Sequence, residues 1–224
     1  MLIKRAKFVY ILIGLLIMIC FLVPITVKMT AKNDFTSNVI VIDAGHGGID
    51  GGVVSQDGTL ESDLNLEIAM RLKNELLGNG YKVVMTRTGK AALGKNKKED
   101  MARRKEIINN SNADMVISIH INKFSDSRRR GAQVFYDDTK KWKLEGEIMQ
   151  RVINEYVNKR YSGRSNFEAI GGDYFITKCG SVPSLIVECG FISNSEDLNL
   201  LRSADYQKKI AEVIRVGIDT ILSY

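Results

Sequence analysis

Short apolar runs alternate with longer amphipathic stretches along most of the chain. Runs such as VIVID and MVISIH, each ended by Gly or Asn, are typical of buried strands. Between them, stretches such as Leu60 to Leu77 repeat their apolar positions at helical spacing. Because strands separated by helices pair in parallel, the pattern predicts βαβ units. We therefore predict an α/β fold with a mostly buried sheet.

The predicted elements follow one another from about residue 39 to the end of the chain. They are the strand VIVID, the helix Leu60 to Leu77, the strand Tyr81 to Thr86, the helix Asp100 to Asn110, the strands MVISIH and AQVFY, the helix Trp142 to Lys159, the strand SLIVEC and the helix Ala204 to Leu222. We predict a single domain over residues 39–224, with a mixed, mostly parallel sheet of about six strands and helices on both faces. Residues 32–38 are predicted to be a polar linker.

The N-terminal segment departs from this pattern. Lys4, Arg5 and Lys7 precede FVYILIGLLIMICFLVPITV, an uncharged apolar run long enough for a membrane-spanning helix. We therefore predict that residues 1–31 anchor the chain in a membrane and leave the rest outside the cytoplasm. A cleaved signal sequence is the alternative, although VKMTAK offers a poor cleavage site.

Composition and charge exclude several classes of protein. The chain has 224 residues, of which 45% are hydrophobic and 26% charged, as expected for one globular domain. Residues 1–31 hold four basic and no acidic residues, so most of the net charge of +6 lies there. The remainder is too weakly basic to predict a nucleic-acid partner. Cys179 and Cys189 are too few for a disulfide framework, and we predict that they are reduced, with pairing as the alternative.

Polar side chains stand where three predicted strands end. His46 closely follows VIVID, His120 closes MVISIH, and Glu188 nearly closes SLIVEC. Ligands collect at the carboxyl ends of parallel strands, so these side chains are expected to converge if the strands are neighbours. A carboxylate in a strand as apolar as that of Glu188 costs several kcal/mol unless it is paired, protonated or near a metal. We therefore predict that Glu188 is functional.

Imidazole nitrogens and carboxylate oxygens are the usual ligands of catalytic zinc. The two histidines are the only ones in the chain, and Glu61 at the start of the next helix is a candidate third ligand. Each has a simpler interpretation, because a histidine that ends a strand is often a core residue and an acid in a helix's first turn favours the helix dipole. The residues alone leave both interpretations open.

Four motifs carry a resemblance to a known family. VIDAGHGGIDGG, ESDLNLEIAMRLKNELLGNGYKVVMTR, SIHIN and PSLIVECGFISNSED resemble, in this order, the motifs of the zinc-dependent N-acetylmuramoyl-L-alanine amidase family 3. The resemblance implies that His46, Glu61 and His120 bind Zn²⁺ and that Glu188 is the catalytic glutamate.

The same resemblance implies roles for two further residues and several partners. Asp43 and Asn122 lie inside these motifs and are expected to hold the ligands or their loops in place. The implied reaction is hydrolysis of the amide between N-acetylmuramic acid and the L-alanine of the stem peptide. The implied partners are peptidoglycan glycan strands and the membrane; a protein that activates the domain or loads its zinc is left open.

The short catalytic domain behind an anchor most resembles sporulation-specific amidases of the family. This implies action on spore cortex in the spore envelope, before muramic δ-lactam forms, and a requirement in germination. Two alternatives remain for the function. One is a zinc peptidase that cuts within the stem peptide, since the same residues would hydrolyse either amide. The other is a catalytically silent wall-binding module.

Overall fold

The computed structural model describes residues 38–140 and 142–224. The predicted anchor over residues 1–31, and all but the last residue of the predicted linker, lie outside these residues. Among the helices described, none is both long enough and apolar enough to cross a bilayer. The elements are β1 (Val39–Ala44), α1 (Glu61–Gly78), β2 (Lys82–Met85), α2 (Lys97–Asn110), β3 (Met115–Asn122), β4 (Gln133–Tyr136), α3 (Lys143–Ile153), β5 (Ile170–Gly171), β6 (Ser184–Phe191), α4 (Ser195–Arg202) and α5 (Ala204–Leu222).

The strands form one sheet in the order β2-β1-β3-β6-β4-β5. Neighbouring strands are parallel except for β4, which runs antiparallel to β6. The predicted single α/β domain with a six-stranded mixed sheet is therefore confirmed. The three strands with polar side chains near their ends, β1, β3 and β6, are adjacent, as convergence of those side chains requires.

Both faces of the sheet are covered by helical segments. Alternate residues of a strand point to opposite faces, so Ile40 and Ile42 of β1 enter one core and Val41 enters the other. The larger core lies between the sheet and helices α1, α3 and α5. The smaller core contains Ile108 of α2 and Ile176. Helices on both faces were predicted, and burial on both faces explains why the central strands carry apolar residues at successive positions rather than only at alternate ones.

The helix predicted from Trp142 to Lys159 changes geometry partway. Its α-helical part ends at Ile153, and Asn154–Asn158 forms a π-helical turn. The Asn154 side chain bonds the backbone of Phe167, and that of Asn158 bonds both backbone groups of Ala132. These tertiary hydrogen bonds offset the weaker geometry of the wide turn, and helical periodicity does not reveal them.

Two elements were not predicted, and one begins early. β5 is only Ile170–Gly171, too short to show a period. Helix α4, Ser195–Arg202, is capped by the Asn194 side chain, which accepts hydrogen bonds from two backbone N–H groups of the first turn. Helix α2 begins at Lys97 rather than near Asp100, because the side chain of the preceding asparagine caps it.

The two cysteines of the domain lie on opposite faces of the sheet. Cys179 packs in the smaller core and Cys189 in the larger. They therefore do not pair with each other, which excludes the alternative of a bond between them, and their reduced state stays a prediction. Cys189 also points away from its neighbour Glu188, as alternation along a strand requires.

Candidate active site

The three predicted metal ligands meet at the carboxyl end of β1 and β3. His46 stands in the turn after β1, Glu61 is the first residue of α1, and His120 lies in β3. One ligand atom from each lies within 4.8 Å of the others. The Glu61 Oε1 atom is 3.3 Å from His46 Nε2 and 3.0 Å from His120 Nδ1. The two imidazole rings stand edge to face with centroids 5.1 Å apart.

The donor set and its surroundings fit a zinc ion. Two imidazole nitrogens and one carboxylate oxygen are a usual catalytic set, which leaves a fourth position for water. Two glycines keep the space around this set open. A Cβ on Gly45 would overlap the His120 ring, and one on Gly52 would meet the Glu61 carboxylate and the His46 ring. Gly52 also has φ of +66°, which L side chains rarely adopt. Two of the five glycines of VIDAGHGGIDGG thus leave room for the ligand side chains.

The charged side chains of the cluster shift one another's pKa values. Burial opposes ionisation of Glu61, but hydrogen bonds and charge from His120 and His46 hold the pKa of its carboxyl well below the usual range. Burial also opposes protonation of His46, yet Glu61 and then Asp50 raise the pKa of that imidazole to about 9. Without a metal, His46 therefore carries a proton at neutral pH, in the position that a cation would take.

Two orienting residues were missed from the sequence. The Asp50 Oδ1 atom lies 2.9 Å from His46 Nδ1, so the carboxylate holds the ring with Nε2 toward Glu61. The Asn65 amide donates to Glu61 Oε1 at 3.3 Å and to the Gly45 carbonyl at 3.2 Å. Asn65 follows Glu61 by one helical turn, and this spacing was a usable signal. The Asp50 contact depends on the left-handed φ of 60° at His46, which the sequence does not reveal.

Two backbone N–H groups also donate hydrogen bonds to the Glu61 carboxylate. Val53 donates to Oε2 at 2.9 Å, and Ile121, next to His120, donates to Oε1 at 3.2 Å. With these bonds the carboxylate stays ionised in a buried position. Glu61 therefore does more than favour a helix dipole.

Asp43 anchors the loop without touching a ligand side chain. Its Oδ1 accepts from Arg104 at 2.6 Å and from Thr86 at 2.7 Å, and its Oδ2 accepts from Ser118 at 2.6 Å. Burial opposes its ionisation, but Arg104 holds the pKa of the Asp43 carboxyl below its usual value. Three side chains thus hold the Asp43 carboxylate, and its role in fixing the loop stays a prediction.

Asn122 acts through its backbone. Its carbonyl accepts from the Ile192 N–H, which joins β3 to β6 beyond a register shift between His120 and Asn122. Within the described part of the chain, its side chain forms no hydrogen bond to a candidate ligand.

Two buried guanidinium groups, both missed from the sequence, hold the backbone of the His46 loop. Arg104 donates to the carbonyls of Ala44 and His46, at 2.8 and 2.6 Å. Arg87 donates to the carbonyls of Ala44 and Gly45, both at 2.8 Å. The carbonyls at the end of β1 and in the following loop thus accept hydrogen bonds from two buried side chains.

Glu188 faces the cluster from the next strand. It pairs with His120 in the register of β6 and β3. Its Oε2 atom is buried and has no hydrogen-bond partner among the residues described. Burial raises the pKa of Glu188 to about 7. The nearby His120 lowers this pKa, whereas the negative charge of Glu61 raises it further. A carboxyl in this state gains and loses a proton near neutral pH.

One recess is lined by cluster residues, and a second begins close to them along the chain. A cavity of about 280 Å³ is lined by both histidine rings, Tyr174 and Ile186. A groove of about 710 Å³ begins at Val54 and is lined by many hydroxyl and amide groups. Both offer room for a substrate much larger than the reacting bond.

Comparison with known proteins gives consistent results. A family model described as N-acetylmuramoyl-L-alanine amidase matches residues 40–220. The germination-specific N-acetylmuramoyl-L-alanine amidase of Bacillus subtilis is 33% identical in an alignment of 192 positions, which covers 82% of this chain and 79% of that protein. N-acetylmuramoyl-L-alanine amidase AmiA of Escherichia coli is 27% identical in an alignment of 235 positions, gaps included, which covers 85% of this chain and 78% of that protein.

Solved structures agree with these sequence matches. The CwlD amidase of Clostridioides difficile, in complex with the GerS lipoprotein, superposes with a TM-score of 0.77 and 38% identity, covering 83% of this chain and 98% of that one. An N-acetylmuramoyl-L-alanine amidase of Clostridium difficile 630 gives a TM-score of 0.74 with 27% identity, covering 84% and 98%.

Proposed function

The chain belongs to the N-acetylmuramoyl-L-alanine amidase family and is an enzyme of that class acting on peptidoglycan, and we propose that its reaction uses zinc held by His46, Glu61 and His120. The observation that carries this proposal is the Glu61 carboxylate between two imidazole nitrogens, at 3.3 and 3.0 Å. The glycines that keep these side chains uncrowded support it. When bound, zinc would supply Lewis acidity, both to the attacking water and to the scissile carbonyl.

Glu188 is the proposed general base. Its unpartnered Oε2 atom and its pKa of about 7 suit it to accept the proton of the attacking water. The water oxygen bonds to the lactyl carbonyl carbon, and the bond from that carbon to the L-alanine nitrogen breaks. Glu188 passes the proton to this nitrogen, so the free peptide amine leaves and the glycan keeps the carboxylate. Asp50 and Asn65 keep His46 and Glu61 oriented throughout.

The bond that is cut distinguishes this proposal from a peptidase that acts within the stem peptide. We expect digestion of purified peptidoglycan by the purified chain to release whole stem peptides with a free L-alanine N-terminus. Mass spectrometry of the products identifies that end. Shortened peptides with their L-alanine still joined to muramic acid would favour the peptidase. A chelator in a parallel digestion is expected to abolish release, as zinc dependence requires.

We extend the proposal to spore cortex and germination. It is supported by the match to a germination-specific amidase and to CwlD. Peptide removal leaves a muramic acid carboxyl free, and δ-lactam formation requires this free group. We therefore expect cortex from a deletion strain to lack the lactam. Normal lactam content in a strain with no second amidase would contradict this role.

Location and partners follow from the same proposal. Acting on cortex requires the domain to lie outside the cytoplasm, held by the predicted anchor over residues 1–31. The CwlD relative was solved in complex with a lipoprotein, and this supports a protein partner here as well. We expect chain purified with its partner to contain more zinc than chain purified alone. Equal zinc content would contradict a loading role.

A further inference from the structure

Two walls of the larger recess begin close, along the chain, to residues of the candidate metal centre. One wall begins at Val54, next to Val53, whose N–H binds the Glu61 carboxylate. The other begins after β3, the strand that carries His120, at Lys123 and Phe124. The groove therefore begins within one to three residues of groups that form the cluster, although no cluster residue lines it. At about 710 Å³ the groove is in the range of a complete small-ligand site.

Neutral polar groups dominate the lining of the groove. Among the serines and asparagines of the lining, Ser55, Ser193 and Asn194 are already hydrogen-bonded, whereas four have side chains without a hydrogen bond to a described residue, Ser125, Ser127, Ser195 and Asn199. Hydroxyl and amide groups of this kind both donate and accept hydrogen bonds. The charged lining residues are Asp57, Arg202 and Lys123, and the first two form an ion pair with each other. The groove therefore presents many neutral hydrogen-bonding groups and little net charge.

An aromatic ring stands on the same wall. Phe124 is 45% exposed, although large apolar side chains of this domain are mostly buried. Its N–H donates to Ser193 Oγ at 3.1 Å, and the Arg129 guanidinium lies over one face of its ring at 4.7 Å. An exposed ring beside hydroxyl groups suits a sugar, whose C–H face packs on the ring while its hydroxyls bind polar partners.

We propose that this groove binds the glycan strand on the muramoyl side of the scissile amide. The inference rests on the proposed function, which supplies the substrate. The glycan and the stem peptide of this substrate differ in charge. The sugars are neutral because the lactyl carboxyl forms the amide, whereas the stem peptide has free carboxylates. A stem peptide would need several unpaired cations, whereas Arg202 is paired with Asp57 and Lys123 is the one lining cation without an ion pair among the described residues. Acetamido and hydroxyl groups match the serines and asparagines of the lining.

Substrate length provides the test. The purified full chain is assayed on long glycan strands bearing stem peptides and on N-acetylmuramoyl-pentapeptide, which has a single sugar. We expect Phe124→Ala to lower kcat/KM on long strands roughly tenfold and Asn199→Ala roughly threefold, with the single-sugar substrate unchanged. Phe124→Tyr keeps the ring and should keep the rate. Tyr156→Ala removes an aromatic ring of similar exposure from the π-helical turn and serves as the control.

A second measurement separates this inference from the proposed function. Chitotetraose, a neutral chain of four N-acetylated sugars, is titrated into the labelled chain and followed by amide chemical shifts. We expect shifts confined to the groove, lost in Phe124→Ala. Shifts elsewhere, or equal loss of rate on both substrates in Phe124→Ala, would overturn the glycan groove. If the wild-type chain released peptide from neither substrate, the proposed function would be wrong, while the titration would still decide the groove.

Discussion

Glu188 and His120 occupy paired positions on the neighbouring parallel strands β6 and β3. Paired residues of a sheet point to the same face, so a proposed base stands beside a proposed ligand. The adjacent strands β3 and β6 thus each contribute one polar side chain to the candidate site. The separation of their roles, metal binding for one and proton transfer for the other, is the main consequence that experiments can test.

The glycine before His46 is expected to be essential for steric reasons alone. A Cβ at Gly45 would overlap the His120 ring, so Gly45→Ala should displace a ligand and weaken zinc binding roughly tenfold or more. Gly89→Ala is the matched control, because nothing lies within 4 Å of the Cβ it adds. Competition against a zinc-chelating dye measures both. Equal affinity in the two variants would show that His120 is not a ligand.

Removal of the buried Arg104 guanidinium should destabilise the domain. Arg104→Met leaves the buried Asp43 carboxylate without its cation, which typically costs about 3–5 kcal/mol of unfolding free energy. Asp43→Asn in the same chain should restore part of that loss, because the uncompensated charge disappears. Arg103→Met, on the exposed side of the same helix, should change stability by about 0.5 kcal/mol or less. Urea unfolding of the chelated protein measures all three.

The fold was largely predictable from the sequence, whereas the contacts that hold the site residues in place were not. Apolar runs separated by amphipathic stretches indicate β1, β3 and β6. A histidine or glutamate near the end of each run indicates the edge of the sheet where these side chains meet. Arg104 acts on the His46 carbonyl from 58 residues away, and no local pattern links such a pair. Asp50 depends on a backbone turn with positive φ. Contacts of this kind exist only once the chain is folded.

Zinc binding is expected to release a proton below about pH 9. The pKa of His46 is raised to about 9 in the metal-free cluster, so the imidazole is protonated at neutral pH and must lose that proton to bind a metal. Apparent zinc affinity should therefore rise roughly tenfold per pH unit between about pH 6 and 8. Calorimetry in buffers of different ionisation enthalpy counts the protons released. Zinc binding without proton release at pH 7 would contradict the charge state assigned to His46.

The most direct test of the account compares Glu188→Gln with His120→Ala. Glutamine keeps the volume of Glu188 but cannot accept a proton, so peptide release should fall roughly a hundredfold or more while zinc content stays at the wild-type level. His120→Ala removes a proposed ligand and should lose zinc and activity together. Elemental analysis and a peptide-release assay on the same purified variants give both values. Loss of zinc from Glu188→Gln as complete as that from His120→Ala, or near-normal turnover in Glu188→Gln, would contradict the mechanism.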